Sequence, residues 1–233
     1  MYSELNMRLV HRNTAPREDD RTTRARVRDC AIECFAEHGV SATTVRKIAA
    51  AAGVSPGLVI HHFGSMDGLR LACDEHVAAT IRDSKEEVLS TGPQLDLFAA
   101  LRSSGFGSMI GYLSQVLADD SPAVAKLVDD MVADAEVYMK HGVESGMLRP
   151  TDDPRGRAVM VALWSLGALV LHRHLERLLG VDLTSPDIAT NPALVNYLRP
   201  FMEVLGSGIY TEEFVTQVQE ALASHNDIEQ ETE

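Results

Sequence analysis

Residues 43–63 read TTVRKIAAAAGVSPGLVIHHF, and the spacing within them decides the fold. A helix-turn-helix needs a small residue where two short helices cross, a glycine at the turn, and apolar residues around both. Ala49 supplies the first and Gly53 the second, while Ile48, Val54 and Val59 occupy the positions of the interhelical core. Thr43 or Thr44 can cap the first helix, and Ser55 followed by Pro56 is an N-cap with a first-turn proline. The second helix then opens with free backbone N–H groups and a positive dipole end able to face phosphate, the layout of a recognition helix in a major groove.

Working outward, Val27, Cys30, Ala31, Cys34, Phe35 and His38 follow helical spacing, and Gly39 ends that helix. Downstream, Gly64-Ser65 breaks the chain before a long amphipathic helix whose stripe is Leu69, Cys73, Val77, Ile81 and Val88. Thr91-Gly92-Pro93 interrupts it, and further helical segments are expected at 94–118, 121–145, 154–179, 191–209 and 211–225. Strand signals are nearly absent, so the expected class is all-α. The divisions are an N-terminal arm (1–20), a three-helix DNA-binding head (21–66), a larger helical body (67–225) and an acidic tail (226–233).

The chain has 233 residues and a formal net charge of −13, which taken whole opposes a nucleic-acid partner. The distribution reverses that reading. Residues 1–63 carry nine basic against seven acidic residues, whereas 64–233 carry 12 against 27. Arg21, Arg24, Arg26 and Arg28 cluster at the start of the first helix and Arg46-Lys47 lie in the second, so basic residues flank the motif. Apolar residues make up 45% and charged residues 24%, an ordinary globular composition. Three cysteines make no disulfide framework and point to a reducing cytoplasm. The N-terminal stretch lacks an apolar h-region, and the apolar run Ala158–Leu171 is too short to span a bilayer, so no membrane partner is expected.

Together with the preceding CAIECFAEHGVSA, the stretch Thr43 to Leu69 resembles the N-terminal domain of the TetR family of bacterial transcription regulators. The resemblance rests on AGVS (Ala52–Ser55), IHHF (Ile60–Phe63) and GSMDGL (Gly64–Leu69), and covers about residues 22–85. It departs where the family usually carries two tyrosines and a lysine: here stand Ile60, His61 and Met66. By position, the resemblance brings Thr44 and Arg46 to the DNA backbone and turns Ser55, Pro56, Gly57, Leu58 and His61 to groove or phosphate. His62 and Phe63 then pack inside the head. With Arg24, Arg28, Thr43 and Lys47 these complete the expected DNA-binding set. The resemblance implies a homodimer on a palindromic double-stranded DNA operator, acting as a repressor released by a small hydrophobic or amphipathic effector. The rival reading is an all-helical ligand carrier or scaffold that has lost specific DNA binding, for which Ile60 and Met66 give the motive.

In the body, Phe106, Met109, Tyr112, Met131, Met139 and Trp164 are the candidate lining of an effector pocket, although such a stripe more often means plain core. The segments 154–179 and 191–209 are the candidate dimer interface, through Leu163, Gly167 and Val170 of the first and Leu194, Leu198, Phe201 and Leu205 of the second. His172 and His174 are two apart, hence about 200° apart on a helix, and cannot share a metal there. Cys30 and Cys34 fall on an apolar stripe, where thiols are inert. GFGSMIG (105–111) lacks the spacing of a phosphate loop, and no Ser-His-Asp or HExxH pattern occurs. The expectation is a regulator and not an enzyme, with no cofactor and no metal.

Overall fold

A computed structural model defines the chain over residues 18–91, 106–185, 187–209 and 211–218, and all regular structure in these residues is helical. The expected arm up to residue 17, the start of the 94–118 segment and the acidic tail lie outside the described residues.

The head is built from α1 (Glu18–His38), α2 (Val45–Ala51) and α3 (Pro56–Phe63). Of the two threonines, Thr44 is the cap: its hydroxyl accepts the Lys47 N–H at 3.3 Å. Ser55 does the same for α3, accepting the Leu58 N–H at 3.2 Å. Between them Gly53 takes φ +67°, a left-handed conformation that side chains disfavour, and the Val54 N–H donates to the Ala49 carbonyl at 2.9 Å. Val27, Ala31, Phe35, Ile48, Ala49, Val59 and Phe63 are buried together, so the crossing alanine and the apolar spacing do what the sequence indicates.

The long helix α4 (Met66–Thr91) leaves the head through a tight corner. Ser65 Oγ accepts the Gly68 N–H at 3.0 Å. A Cβ at Gly68 would lie 2.1 Å from the Phe63 carbonyl oxygen, so only glycine fits there.

Head and body do not separate in their packing. One hydrophobic cluster runs from Val27 and Phe35 through Leu69 and Val77 to Tyr112, Val116, Leu127 and Leu166. The joint is made by α5 (Phe106–Val116) lying along α1. At Gly111 an added Cβ would stand 3.1 Å from Ala36 Cβ, which lets the two helices approach closely. The rings of Phe35 and Tyr112 meet at 5.8 Å, and the Tyr112 hydroxyl donates to Asp74 Oδ1 at 2.6 Å with both groups buried. Burial pushes the Asp74 carboxyl above its usual range, against the opposing pull of the Tyr112 hydrogen bond and the Arg70 charge.

In the body, α6 (Pro122–Glu144) lies against α4. Arg82 pairs with Asp134 at 3.5 Å, His141 Nδ1 and Glu86 Oε1 stand 2.5 Å apart, and the Ser145 hydroxyl donates to the Leu89 carbonyl at 2.6 Å. Next, α7 (Pro154–Val170), capped by Asp153, packs Ala158 and Ala162 on Val132, Ala135 and Met139. The single helix expected over 154–179 is instead two. The chain bends by 76° between α7 and α8 (His172–Leu179), where Leu171 leaves helical geometry at ψ 17°. The His172 ring, 2.8 Å from the Leu169 carbonyl, covers one of the backbone groups freed there. Finally α9 (Leu194–Ser207) follows a short turn at Ile188–Thr190, and residues 212–218 are helical. No single helix among the described residues is long and apolar enough to cross a membrane.

Two outcomes follow from the corner and the joint. Gly68→Ala should lower the melting temperature and weaken DNA binding, because α4 must shift off Phe63; an unaltered melt and affinity would contradict the contact. Tyr112→Phe should cost about 1–3 kcal/mol of stability, the loss of a hydrogen bond to a buried charge. Since the folded-state pKa of Asp74 is raised, its burial weakens the fold as pH climbs from the ordinary carboxylate range through that raised value. Asp74→Asn should therefore flatten this decline in melts taken at successive pH values upward from about 4.

Candidate nucleic-acid interface

The exposed face of α3 carries Ser55, Pro56, Gly57, Ile60 and His61. Its opposite face, Val59 and Phe63, is locked into the core, which fixes the helix's rotation. Leu58, expected on the groove side, is half-buried and lies between the two faces. Ile60, which stands where the family usually carries a tyrosine, is 42% exposed beside Pro56 and Gly57, where its apolar surface is available to a base edge or thymine methyl. The substitution of isoleucine for an aromatic obscures this in sequence; the i, i+4 spacing from Pro56 was the signal that could have shown it.

Around α3 the basic residues divide. Arg46 and Lys47 are exposed on α2, with Lys47 Nζ held at 3.1 Å from the Ala42 carbonyl. Arg24 is exposed and lies over the Phe63 ring at 4.8 Å from its centroid, so it is anchored at the end of α3. Arg26, not singled out for the DNA-binding set, donates from Nε to the Ala52 carbonyl at 3.1 Å and ties α1 to the turn. Two expected DNA contacts point elsewhere. Arg28 is drawn to Asp29 at 2.7 Å, on the part of α1 that meets Cys73 of α4. Thr43 is 5% exposed and donates from its hydroxyl to the Cys34 and Gly39 carbonyls, pinning the α1–α2 loop. Asp29, Glu33 and Glu37 form an exposed acidic row further along α1, so the basic surface is confined to the α1 start, α2 and α3.

The cysteines of the head are not activated. Burial raises both the Cys30 and Cys34 thiols, and it pushes Cys73 up to about 12.

The candidate pocket residues come together only in part: Tyr112, Met109 and Met131 share the main core cluster, whereas Met139 and Trp164 lie apart from it. Met109 and Met131 pack on the main core, Met139 is buried in the α6–α7 cluster, and Tyr112 closes the head–body joint. The Phe106 side chain lies outside the described residues. Trp164 faces outward at 44% exposure and meets Phe201 of α9 edge-on at 5.4 Å. Of the interface candidates, Leu163, Val170 and Leu205 are exposed, and Gly167 is partly buried on the same outer side of α7. Leu194 and Leu198 are corrected: they pack on Val181 and Ile188 within the subunit. Periodicity places residues on one helix face, but which neighbour covers that face is a tertiary fact.

Comparison with known proteins agrees with this architecture. Residues 27–73 match the family model for bacterial regulatory proteins of the tetR family, and residues 104–211 match the tetracyclin repressor-like C-terminal domain. The chain is similar to the HTH-type transcriptional regulatory protein RaaS of Mycobacterium tuberculosis, at 40% identity over 67% of this chain and 74% of that one. It is also similar to the HTH-type transcriptional repressor AcnR of Corynebacterium glutamicum, at 31% identity over 57% of this chain and 71% of that one. Among solved structures it resembles SmeT, the repressor of the Stenotrophomonas maltophilia multidrug efflux pump SmeDEF. That match has a TM-score of 0.50 at 26% identity, over 76% of this chain and 91% of the other. With its helix-turn-helix exposed, its helical body matched and these relatives in view, the chain belongs to the TetR family of DNA-binding transcriptional regulators.

Proposed function

We propose that the protein is a homodimeric repressor that binds a palindromic operator through α3 and is released by a small hydrophobic or amphipathic effector held in the body. The observation that carries the DNA-binding part is the rotation of α3. Its core contacts leave Pro56, Gly57, Ile60 and His61 outward, with Arg24, Arg46 and Lys47 beside them. The named repressors among the relatives support the direction of control.

An apolar surface supports the dimer. Met160, Leu163, Trp164 and Val170 of α7 are exposed, and the Trp164–Phe201 contact joins this face to Val195, Met202 and Leu205 of α9. A continuous apolar patch of this kind is uncommon on a monomer, and a second copy meeting it about a two-fold axis would form a four-helix bundle. The two heads would then address half-sites about one helical turn apart, or a related spacing.

Binding to DNA from the gene's own upstream region should fall steeply with salt, with a log–log slope of about −0.9 for each phosphate neutralised. A flat salt response, or no preference over random duplex, contradicts operator binding. Within that assay, Arg46→Ala and His61→Ala should weaken all duplexes alike, whereas Ile60→Ala and Pro56→Ala should change the ranking of sequences; uniform effects from all four would refute the division. Met160→Glu combined with Leu205→Glu should yield monomers by light scattering with little change in the subunit's helical content. A dimer that survives both charges would place the interface elsewhere.

A further inference from the structure

The core holds little of the turn that carries α3 outward. Ala52 is buried and Val54 packs partly on the main cluster, but Gly53, Ser55, Pro56 and Gly57 are exposed. The buried anchors of α3 are Val59 and Phe63, and both lie beyond its first turn. Apolar packing therefore sets how α3 is rotated and where its far end lies, and leaves its entry end to polar bonds.

The carbonyls at the end of α2 find donors one after another. The Ala52 N–H serves Ile48 at 2.9 Å, the Val54 N–H serves Ala49 at 2.9 Å, and the Gly53 N–H serves Ala50 at 3.2 Å. For the Ala52 carbonyl, the backbone position four residues on has no N–H to offer, because residue 56 is proline. Its donor comes instead from α1: the Arg26 Nε–H stands 3.1 Å away. The proline that opens α3 and the arginine that serves the stranded carbonyl thus belong together, since a partly buried carbonyl left without a donor is costly. Two residues earlier on α1, Arg24 lies over the ring of Phe63, the last residue of α3. The start of α1 therefore grips the α3 unit at both ends, with a hydrogen bond before its entry and a ring contact at its exit.

We propose that Arg26 is a positioning residue for operator recognition: through the Ala52 carbonyl it fixes where Ser55, Pro56 and Gly57 meet the groove, and it acts through that bond and not through its charge. This rests on the operator-binding reading above and adds a residue that reading does not include. The competing role for an exposed arginine beside such a motif is phosphate contact, and the two roles differ in what they do to DNA binding. A displaced entry end loses contacts that read bases, whereas a lost phosphate contact carries no sequence information.

The test is binding of the full-length protein to its upstream DNA and to random duplex over a salt series, for the wild type, Arg26→Gln, Arg26→Met and Arg46→Ala, with melts to show that each variant is folded. Glutamine keeps an N–H donor without the charge, and methionine keeps only the apolar stem. Arg26→Met should lower the operator-over-random ratio about tenfold, about 1.4 kcal/mol, with the salt slope on random duplex unmoved. Arg26→Gln should keep most of the ratio, and as the milder change it separates bond from charge even where methionine loosens the head. Arg46→Ala supplies the signature of a lost phosphate contact: both duplexes weakened alike and a slope shallower by about 0.9. That signature in either Arg26 variant, an unchanged ratio in Arg26→Met, or as large a loss in Arg26→Gln would overturn the proposal. A lower melt with both duplexes weakened together would reduce Arg26 to a structural role and overturn it as well. The two readings fail in different ways. A wild type without preference for its upstream DNA removes operator binding and this role with it, whereas a preference that Arg26→Met leaves intact removes only the role of Arg26.

Discussion

The structure turns on a buried hydrogen bond. Tyr112 on α5 donates to Asp74 on α4, and its ring meets Phe35 on α1, so one side chain fastens three helices at the border of head and body. A carboxylate is held out of water there, so the bond must form for the helices to pack. Because α5 also lies along α1 at the Gly111–Ala36 approach, a displacement of α5 reaches the head without an intervening hinge. Head and body are therefore joined by a shared core, not a linker.

Two surfaces of opposite character follow from this arrangement. The head presents Arg24, Arg46, Lys47 and His61 around α3, whereas α1 turns acidic beyond Asp29 and the rest of the chain carries most of the negative charge. An acidic body repels phosphate, so attraction is concentrated on the face that α3 projects. The exposed apolar face of α7 and α9 lies in the body, apart from the basic face of the head.

What the sequence reveals depends on how local the cause is. The helix-turn-helix was legible because cap, proline, turn glycine and crossing alanine act within a few residues of one another: Thr44, Ser55, Gly53 and Ala49 all stand as their chemistry requires. The body was legible only as helices. Trp164 and Tyr112 sit in similar amphipathic patterns, yet one faces outward and the other is sealed beneath the head. The bend at Leu171 carries neither glycine nor proline, so no local punctuation announced it. Thr43 and Arg28 were misplaced because a threonine or arginine beside a DNA-binding motif serves backbone carbonyls and acids as readily as phosphates.

The unbroken core also bears on modularity. Residues 18–66 look like a portable reading head, but Val27, Phe35 and Leu69 share their packing with Tyr112, Val116 and Leu127. A head cut at the α3–α4 corner would carry an open apolar wound and lose the partner surface that positions α1. Transplanting the DNA specificity of this head to another body therefore means exchanging the exposed side chains of α3 one by one, or moving α4 and α5 with the head. The natural unit of exchange is larger than the motif that reads the DNA.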